Sequence, residues 1–169
     1  MKNFLKVAAL SASFLLVAGA TQEAIAAQRH KVWVTIYRVK QIDDLDPSTP
    51  GVTKDRADFY VQITIDGQEY TSEKMATDDG KPGWTYEVWT DKPSVPIRVK
   101  LIDDDGNLER KDDYVDIHPR KGKKDLDLRY NLNSKRVTGD VSGKRGSRLH
   151  SAGGGDSDRG EIWFTVKSS

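Results

Sequence analysis

Cysteine is absent from all 169 residues. That excludes a disulfide scaffold, a lipid anchor on a cleavage-site cysteine and any thiol chemistry. Long apolar runs are scarce too. The only one, residues 7–20, is shorter than the ~20 residues that a spanning helix needs, so no transmembrane segment is expected. It follows Lys2 and Lys6 and precedes the small-x-small triplet Ala24-Ile25-Ala26, the layout of a secretory signal peptide over residues 1–26. Residues 27–169 are then expected to form one domain, secreted or periplasmic, large enough for a core of its own. Charge of a single sign is also missing. Without Lys2, Lys6 and Glu23, 27 − 2 basic residues face 26 − 1 acidic ones, a balance that argues against a general nucleic-acid binder. The catalytic signatures are absent as well: Gly-x-Ser-x-Gly, zinc-type histidine spacing, a phosphate-binding glycine loop before a helix. His30, His118 and His150 are far apart, and His118, just before Pro119, reads as an edge or turn residue. Paired carboxylates could cleave glycosides, but a small sandwich leaves little material for a cleft, and no enzyme is expected.

What the sequence does contain is period two. "KVWVTIYRV" sets Val32, Val34 and Ile36 against Trp33, Thr35 and Tyr37; "FYVQITI" puts Phe59, Val61, Ile63 and Ile65 on one face and runs into Asp66-Gly67, a two-residue hairpin signal. "WTYEVW", "IRVKLI", "DLDLRY" and "EIWFTV" repeat the alternation. No amphipathic helix of useful length follows residue 26. Short alternating strands separated by Gly, Pro and Asp turns predict an all-β fold, an antiparallel two-sheet β-sandwich. The stretch 131–160, rich in Gly, Ser, Lys and Arg, reads as a long mobile loop before the last strand.

The aspartates are not evenly spread. "IDDLDPSTPGVTKDRAD" and "LIDDDGNLERKDD" each follow an alternating strand. If the two loops leave the same end of the sandwich, their carboxylates repel unless neutralised, and Ca2+, a hard cation taking roughly six to eight oxygens, is the usual remedy. An EF-hand is excluded: Leu101 occupies the first ligand position and the flanks are strands. Asp156-Ser157-Asp158-Arg159-Gly160 reads as a turn.

The order of these segments, a first strand, an acidic loop ending "DFYVQI", a hairpin, "PGWTYEV", "IRVKLIDDDGNLERKDDYV" and a closing "GEIWFTV", resembles the C2 domain, the calcium-dependent phospholipid-binding β-sandwich, over residues 32–166. The resemblance implies Asp58, Asp103, Asp105 and Asp112 or Asp113 as Ca2+ ligands, with Asp46, or in its place Asp43 or Asp44, from the first loop. Phe59 stands where the family has proline, the gap from Asp105 to Asp112 is one residue longer than usual, and Asp116 stands where glycine is common. In the family, bound calcium turns an acidic rim cationic, takes phosphate or carboxylate oxygens and lets loop tips enter the interface. The matching tip residues are Leu108, Arg110 and Lys111, with Leu45 or Val52, while Arg98 and Lys100 match a basic strand patch for anionic head groups. The partner so implied is an anionic phospholipid or cell-envelope surface. The competing class is a calcium-independent interaction or adhesion module that binds a protein or an envelope glycan; a third is an envelope protein that calcium stabilises without lipid contact. Trp33, Trp84, Trp89 and Trp163 sit inside alternating segments and read as strand packing; the alternative, a ligand platform of a carbohydrate-binding module, needs some of them exposed and coplanar. The basic residues between Arg120 and Arg148 read as a solvated surface, the alternative being a site for an anionic polymer such as lipopolysaccharide, teichoic acid or polysaccharide.

Overall fold

The computed structural model describes residues 29–43, 45, 56–104 and 112–169. Its thirteen strands are β1 His30–Gln41, β2 Asp58–Ile65, β3 Gln68–Thr71, β4 Met75–Ala76, β5 Asp79–Gly80, β6 Trp84–Thr90, β7 Ser94–Asp103, β8 Asp113–Val115, β9 Leu126–Asn131, β10 Arg136–Gly139, β11 Gly143–Lys144, β12 Leu149–Ala152 and β13 Gly160–Ser168. The first sheet runs β12-β13-β1, with β5 and β6 both on the far edge of β1; the second runs β11-β10-β9-β7-β2-β3, with β4 on β2 and β8 on β7. The named strand pairs are antiparallel. This is the expected two-sheet sandwich.

Alternation decides what is inside. Val32, Val34 and Ile36 of β1 and Ile162, Phe164 and Val166 of β13 are buried against Phe59, Val61, Ile63 and Ile65 of β2, Val95, Ile97, Val99 and Leu101 of β7 and Leu126, Leu128 and Tyr130 of β9. A bulge between Ile36 and Arg38 inserts Tyr37 as an extra residue, so Val39 returns to the core side while Arg38 and Lys40 stay outside. At the β2–β3 hairpin Asp66 and Gly67 both have positive φ, 52° and 86°, the pair of left-handed residues that a tight twisted turn requires.

The stretch 131–160 is not a loop: β10, β11 and β12 lie within it. Its apolar residues are few but well placed. Val137 and Leu149 are buried, and Leu149 pairs with Phe164. The triple glycine that follows β12 is a packing feature. A Cβ on Gly153 would lie 2.2 Å from the Asp116 carbonyl oxygen, and one on Gly154 2.3 Å from the Pro119 carbonyl oxygen. Only glycine lets this segment press against the chain leaving β8. It closes on Asp116, whose buried carboxylate accepts N–H bonds from His118 at 2.9 Å and Gly155 at 2.7 Å.

His118 is likewise no edge residue. It is 1% exposed, and its Nδ1 accepts the Arg120 N–H at 2.9 Å. Its Nε2 lies 3.1 Å from Asp140 Oδ1, an ionic distance without the alignment of a good hydrogen bond.

Candidate functional site

The ends of β1 and β7 and the beginnings of β2, β8 and β13 meet at one rim. Gln41 pairs with Gly160, Phe59 with Asp103 and Asp103 with Asp113, so both acidic loops start and finish there. The apolar register that buries Phe59, Val61 and Leu101 fixes this meeting, because slipping one residue would turn those side chains outward.

Asp103 ends β7 with a side chain 1% exposed; its Oδ1 accepts the Asp58 N–H at 2.7 Å and so ties the two loop ends together. Asp104 donates its backbone N–H to the Asp58 carbonyl at 3.2 Å. Asp112 is exposed and accepts the Tyr60 hydroxyl at 2.5 Å. Burial, together with that carboxylate, pushes the Tyr60 phenol above its usual range, so it stays protonated and donates to Asp112. Asp113 is exposed opposite Asp103. Asp46, Asp105, Leu108, Arg110 and Lys111 lie outside the described residues, as do Asp44 and Val52. Leu45 packs against the core as a partly buried side chain.

Two cations that no sequence pattern singles out occupy this rim. Lys74, in the segment returning to β4, forms a close ion pair with Asp104. Its ammonium is held above the usual lysine range by the hydrogen bond it donates to Asp104, with Asp112 and Asp58 adding to the attraction. On the other side Arg159 donates Nε and Nη2 to both oxygens of Asp43, at 2.7–3.2 Å, and its backbone N–H to Oδ2 at 2.9 Å. The guanidinium holds the Asp43 carboxyl below the usual carboxylate range. Asp43 is therefore committed to Arg159 and is not a substitute ligand, and the segment read as a turn supplies the arginine that takes it. Among the described residues no three acidic or histidine side chains converge tightly enough to enclose a metal ion. What they do provide is an ion pair between the Lys74 ammonium and Asp104, with Asp112 and Asp58 attracting the same cation from further away.

Arg98 and Lys100 stand on the outer face of β7, but Arg98 Nε donates to Asp127 at 2.7 Å and Lys100 is 4.0 Å from Asp125. Burial pushes the Asp125 carboxyl up, and Lys100 and Arg98 work against that rise. The expected basic patch is thus largely compensated. Beside it a cleft of about 560 Å3 is lined by Thr64, Glu69, Arg98, Arg129 and Thr138 among others.

A two-sheet antiparallel sandwich with acidic connections gathered at one end defines a class of loop-presenting β-modules. Within that class the chain has a C2-like fold. It is similar to the two C2 domains of Extended-Synaptotagmin 2 in their calcium-bound structure, at 14% identity, with a TM-score of 0.54 over 82% of this chain and 45% of that one. It is similar to a structure of a C2 domain, at 10% identity and TM-score 0.51 over 83% of this chain and 98% of that one. It is also similar to human GIVD cytosolic phospholipase A2, at 11% identity and TM-score 0.51, where it spans 85% of its own length but 17% of the enzyme's. The chain therefore spans under half the length of the first of these and a small part of the third. No family model and no curated protein sequence matches it. The described residues contain no helix long and apolar enough to cross a membrane.

Proposed function

We propose that this chain is a secreted C2-like module that docks on an anionic phospholipid or cell-envelope surface through the acidic end of its sandwich, with Ca2+ as the bridging cation. The observation that carries this reading is the ion pair of the Lys74 ammonium with Asp104 at an end where Asp112 and Asp58 add to the attraction: the rim draws a cation and holds a tethered one. Asp58, Asp103, Asp112 and Asp113 would hold the metal, with Asp46 and Asp105 from the loops outside the described residues. Calcium there supplies positive charge and open coordination positions for phosphate or carboxylate oxygens. The chain's own residues do the rest. Asp103 locks the finish of the first loop to the start of the second, Tyr60 orients Asp112, and Arg159 removes Asp43 from the set.

A second reading is favoured by the same lysine. If Lys74 is the permanent counter-ion, the module is calcium-independent and binds an interaction partner, a protein or an envelope glycan, with its acidic end already neutralised. Neither reading gives the chain catalytic work. The two are separated by the thermal midpoint in chelator and in about 5 mM CaCl2, with MgCl2 as control. A site with Kd of about 1 mM stabilises by about 1 kcal/mol and raises the midpoint by about 3 °C. A calcium-specific rise that disappears in Asp103→Asn supports calcium docking, and anionic vesicles then test the surface. An unchanged midpoint discards it in favour of the second reading.

A further inference from the structure

The outer face of the first sheet has a composition that neither the fold nor the loop end requires. Only Trp84 of the four tryptophans lies on the inner side, packed against the core. Trp33, Trp89 and Trp163 alternate with buried neighbours, Val32 and Val34, Val88 and Thr90, Ile162 and Phe164, and so stand on the opposite side; Trp89 is 51% exposed. This corrects the packing expected of them. Register sets Trp89 opposite Lys31 and Trp163 opposite Arg38, with Trp33 between these levels on β1. The indoles therefore run obliquely over three adjacent strands, and at about 4.8 Å per strand and 3.3 Å per residue the row extends about 20 Å.

The row is held in place by its neighbours. The His150 ring stacks on Trp163 with centroids 4.6 Å apart and 23° between the planes. The Arg38 guanidinium lies 4.4 Å from the same ring centre, itself fixed by two bonds to Asp79 at 2.8 and 2.6 Å. Between the tryptophans the outward positions are Glu87 and Lys167 beside Trp33 and the hydroxyls of Thr35, Thr85 and Thr165 at the next level, with Thr35 and Thr85 bonded to each other at 2.9 Å. On β1, β6, β12 and β13 this face carries no leucine, isoleucine, valine or methionine.

We propose that this face binds an extended acidic polysaccharide. Trp163, enclosed between His150 on β12 and Arg38 on β1, anchors one end of the row, while Trp33 and Trp89, the latter with Lys31 5.3 Å from its ring centre, offer apolar surface to the C–H faces of sugar rings, and hydroxyls and carboxylates between them satisfy sugar hydroxyls; aliphatic side chains, which a protein partner or a bilayer would engage, are missing. Charge decides for an acidic polymer. Lys31 is compensated by Glu87, Arg38 by Asp79 and Lys40 by Glu161. Arg148, over the Tyr37 ring at 5.7 Å, and Lys167 have no carboxylate partner among the described residues. The excess is therefore positive, which favours an acidic polymer over a neutral one.

The test is electrophoresis of the full chain through native gels containing polygalacturonate or dextran, in EDTA so that calcium loading has no influence. Retardation by polygalacturonate alone is expected, weakened about tenfold in Trp89→Ala and Trp33→Ala and unchanged in Asp103→Asn. Trp89 is exposed, so its variant retains the fold, which circular dichroism checks. No retardation overturns the proposal. So does retardation that survives both tryptophan substitutions, which would assign it to diffuse charge between Arg120 and Arg148. Tryptophan-dependent binding to phosphatidylglycerol vesicles in EDTA with no effect of polygalacturonate would overturn it in favour of a membrane. Because Asp103 is irrelevant here, failure of calcium docking leaves this outcome untouched, and the reverse holds too.

Discussion

Replacing Asp116 by alanine is expected to cost this fold more than any surface change at the acidic end. The residue is 2% exposed, and its two carboxylate oxygens accept the His118 N–H at 2.9 Å and the Gly155 N–H at 2.7 Å. Its own backbone is used as well: the N–H donates to the Asp158 carbonyl at 2.6 Å and the carbonyl accepts from Gly160 at 2.8 Å. Alanine preserves those backbone bonds and removes the acceptors from two donors, one buried and one partly so. A buried donor left unsatisfied costs about 1–3 kcal/mol, so the pair costs about 3 kcal/mol. For a domain of this size 1 kcal/mol moves the midpoint by about 3 °C, giving a fall of about 9 °C. Asp116→Asn retains one acceptor oxygen and turns an N–H of its own toward the second donor, so a fall of about half that size is expected. The assay is thermal unfolding followed by near-ultraviolet circular dichroism in chelator, where the tryptophans report tertiary packing. An Asp116→Ala midpoint within about 2 °C of the parent, under 1 kcal/mol on the same scale, would refute the reasoning, because it would mean that the glycine segment finds other acceptors without cost.

Lys74→Met should strengthen calcium binding severalfold, read by titration calorimetry, since it removes the tethered competitor and leaves the carboxylates in place; weaker binding would show that Lys74 organises the site. Acid should destabilise the fold through Asp43 and Asp140. Arg159 lowers the first; burial alone would raise the second, but the Asp127 N–H and His118 outweigh it and its carboxyl is also low. The stability from a lowered carboxyl is fully present above its ordinary value of 3.8 and is lost as pH falls through the folded value, so the midpoint should drop below about pH 4 and Asp43→Asn should flatten part of that drop. Gly139→Ala places a Cβ 2.3 Å from the Asp127 carbonyl at a φ of 116°, and about 2–4 kcal/mol should be lost in urea unfolding.

The sandwich was legible because its signal is local. Val32-Val34-Ile36 and Phe59-Val61-Ile63-Ile65 announce their inner faces by alternation alone, and Asp66-Gly67 announces its turn. The strands inside 131–160 were not legible for the converse reason. β10 and β12 are four residues long and β11 two, and the only apolar side chains buried in them are Val137 and Leu149, too little for a period to show. Their pairing to β9 and β13 is a tertiary fact. The same limit applied at the rim. The aspartates were visible as clusters, whereas Lys74 and Arg159 are ordinary surface residues by sequence and become counter-ions only when β4 joins β2 and β13 joins β1. Alternation set Trp33 opposite Val32, Val34 and Ile36 within its own strand, but that Trp33, Trp89 and Trp163 share one face follows only from the pairing of β6, β1 and β13.

Lys74 has a consequence for how large a signal the acidic end can generate. A diffusible counter-ion released by calcium is lost to the solvent and carries its charge away. Lys74 is bonded to the chain, and once displaced from Asp104 its ammonium remains within a side chain's length of the rim, well inside a Debye length of ~8–10 Å. Competition from the lysine therefore weakens the metal without subtracting from the charge that the metal brings. In the proposed docking state the rim carries both, and the freed ammonium stands ready as a further donor to phosphate. With each cation near an anionic surface contributing about 1 kcal/mol, the lysine trades calcium affinity for surface affinity. Lys74→Met should accordingly raise the first and lower the second; a variant that binds both calcium and phosphatidylglycerol vesicles more tightly would show that the displaced lysine never reaches the surface.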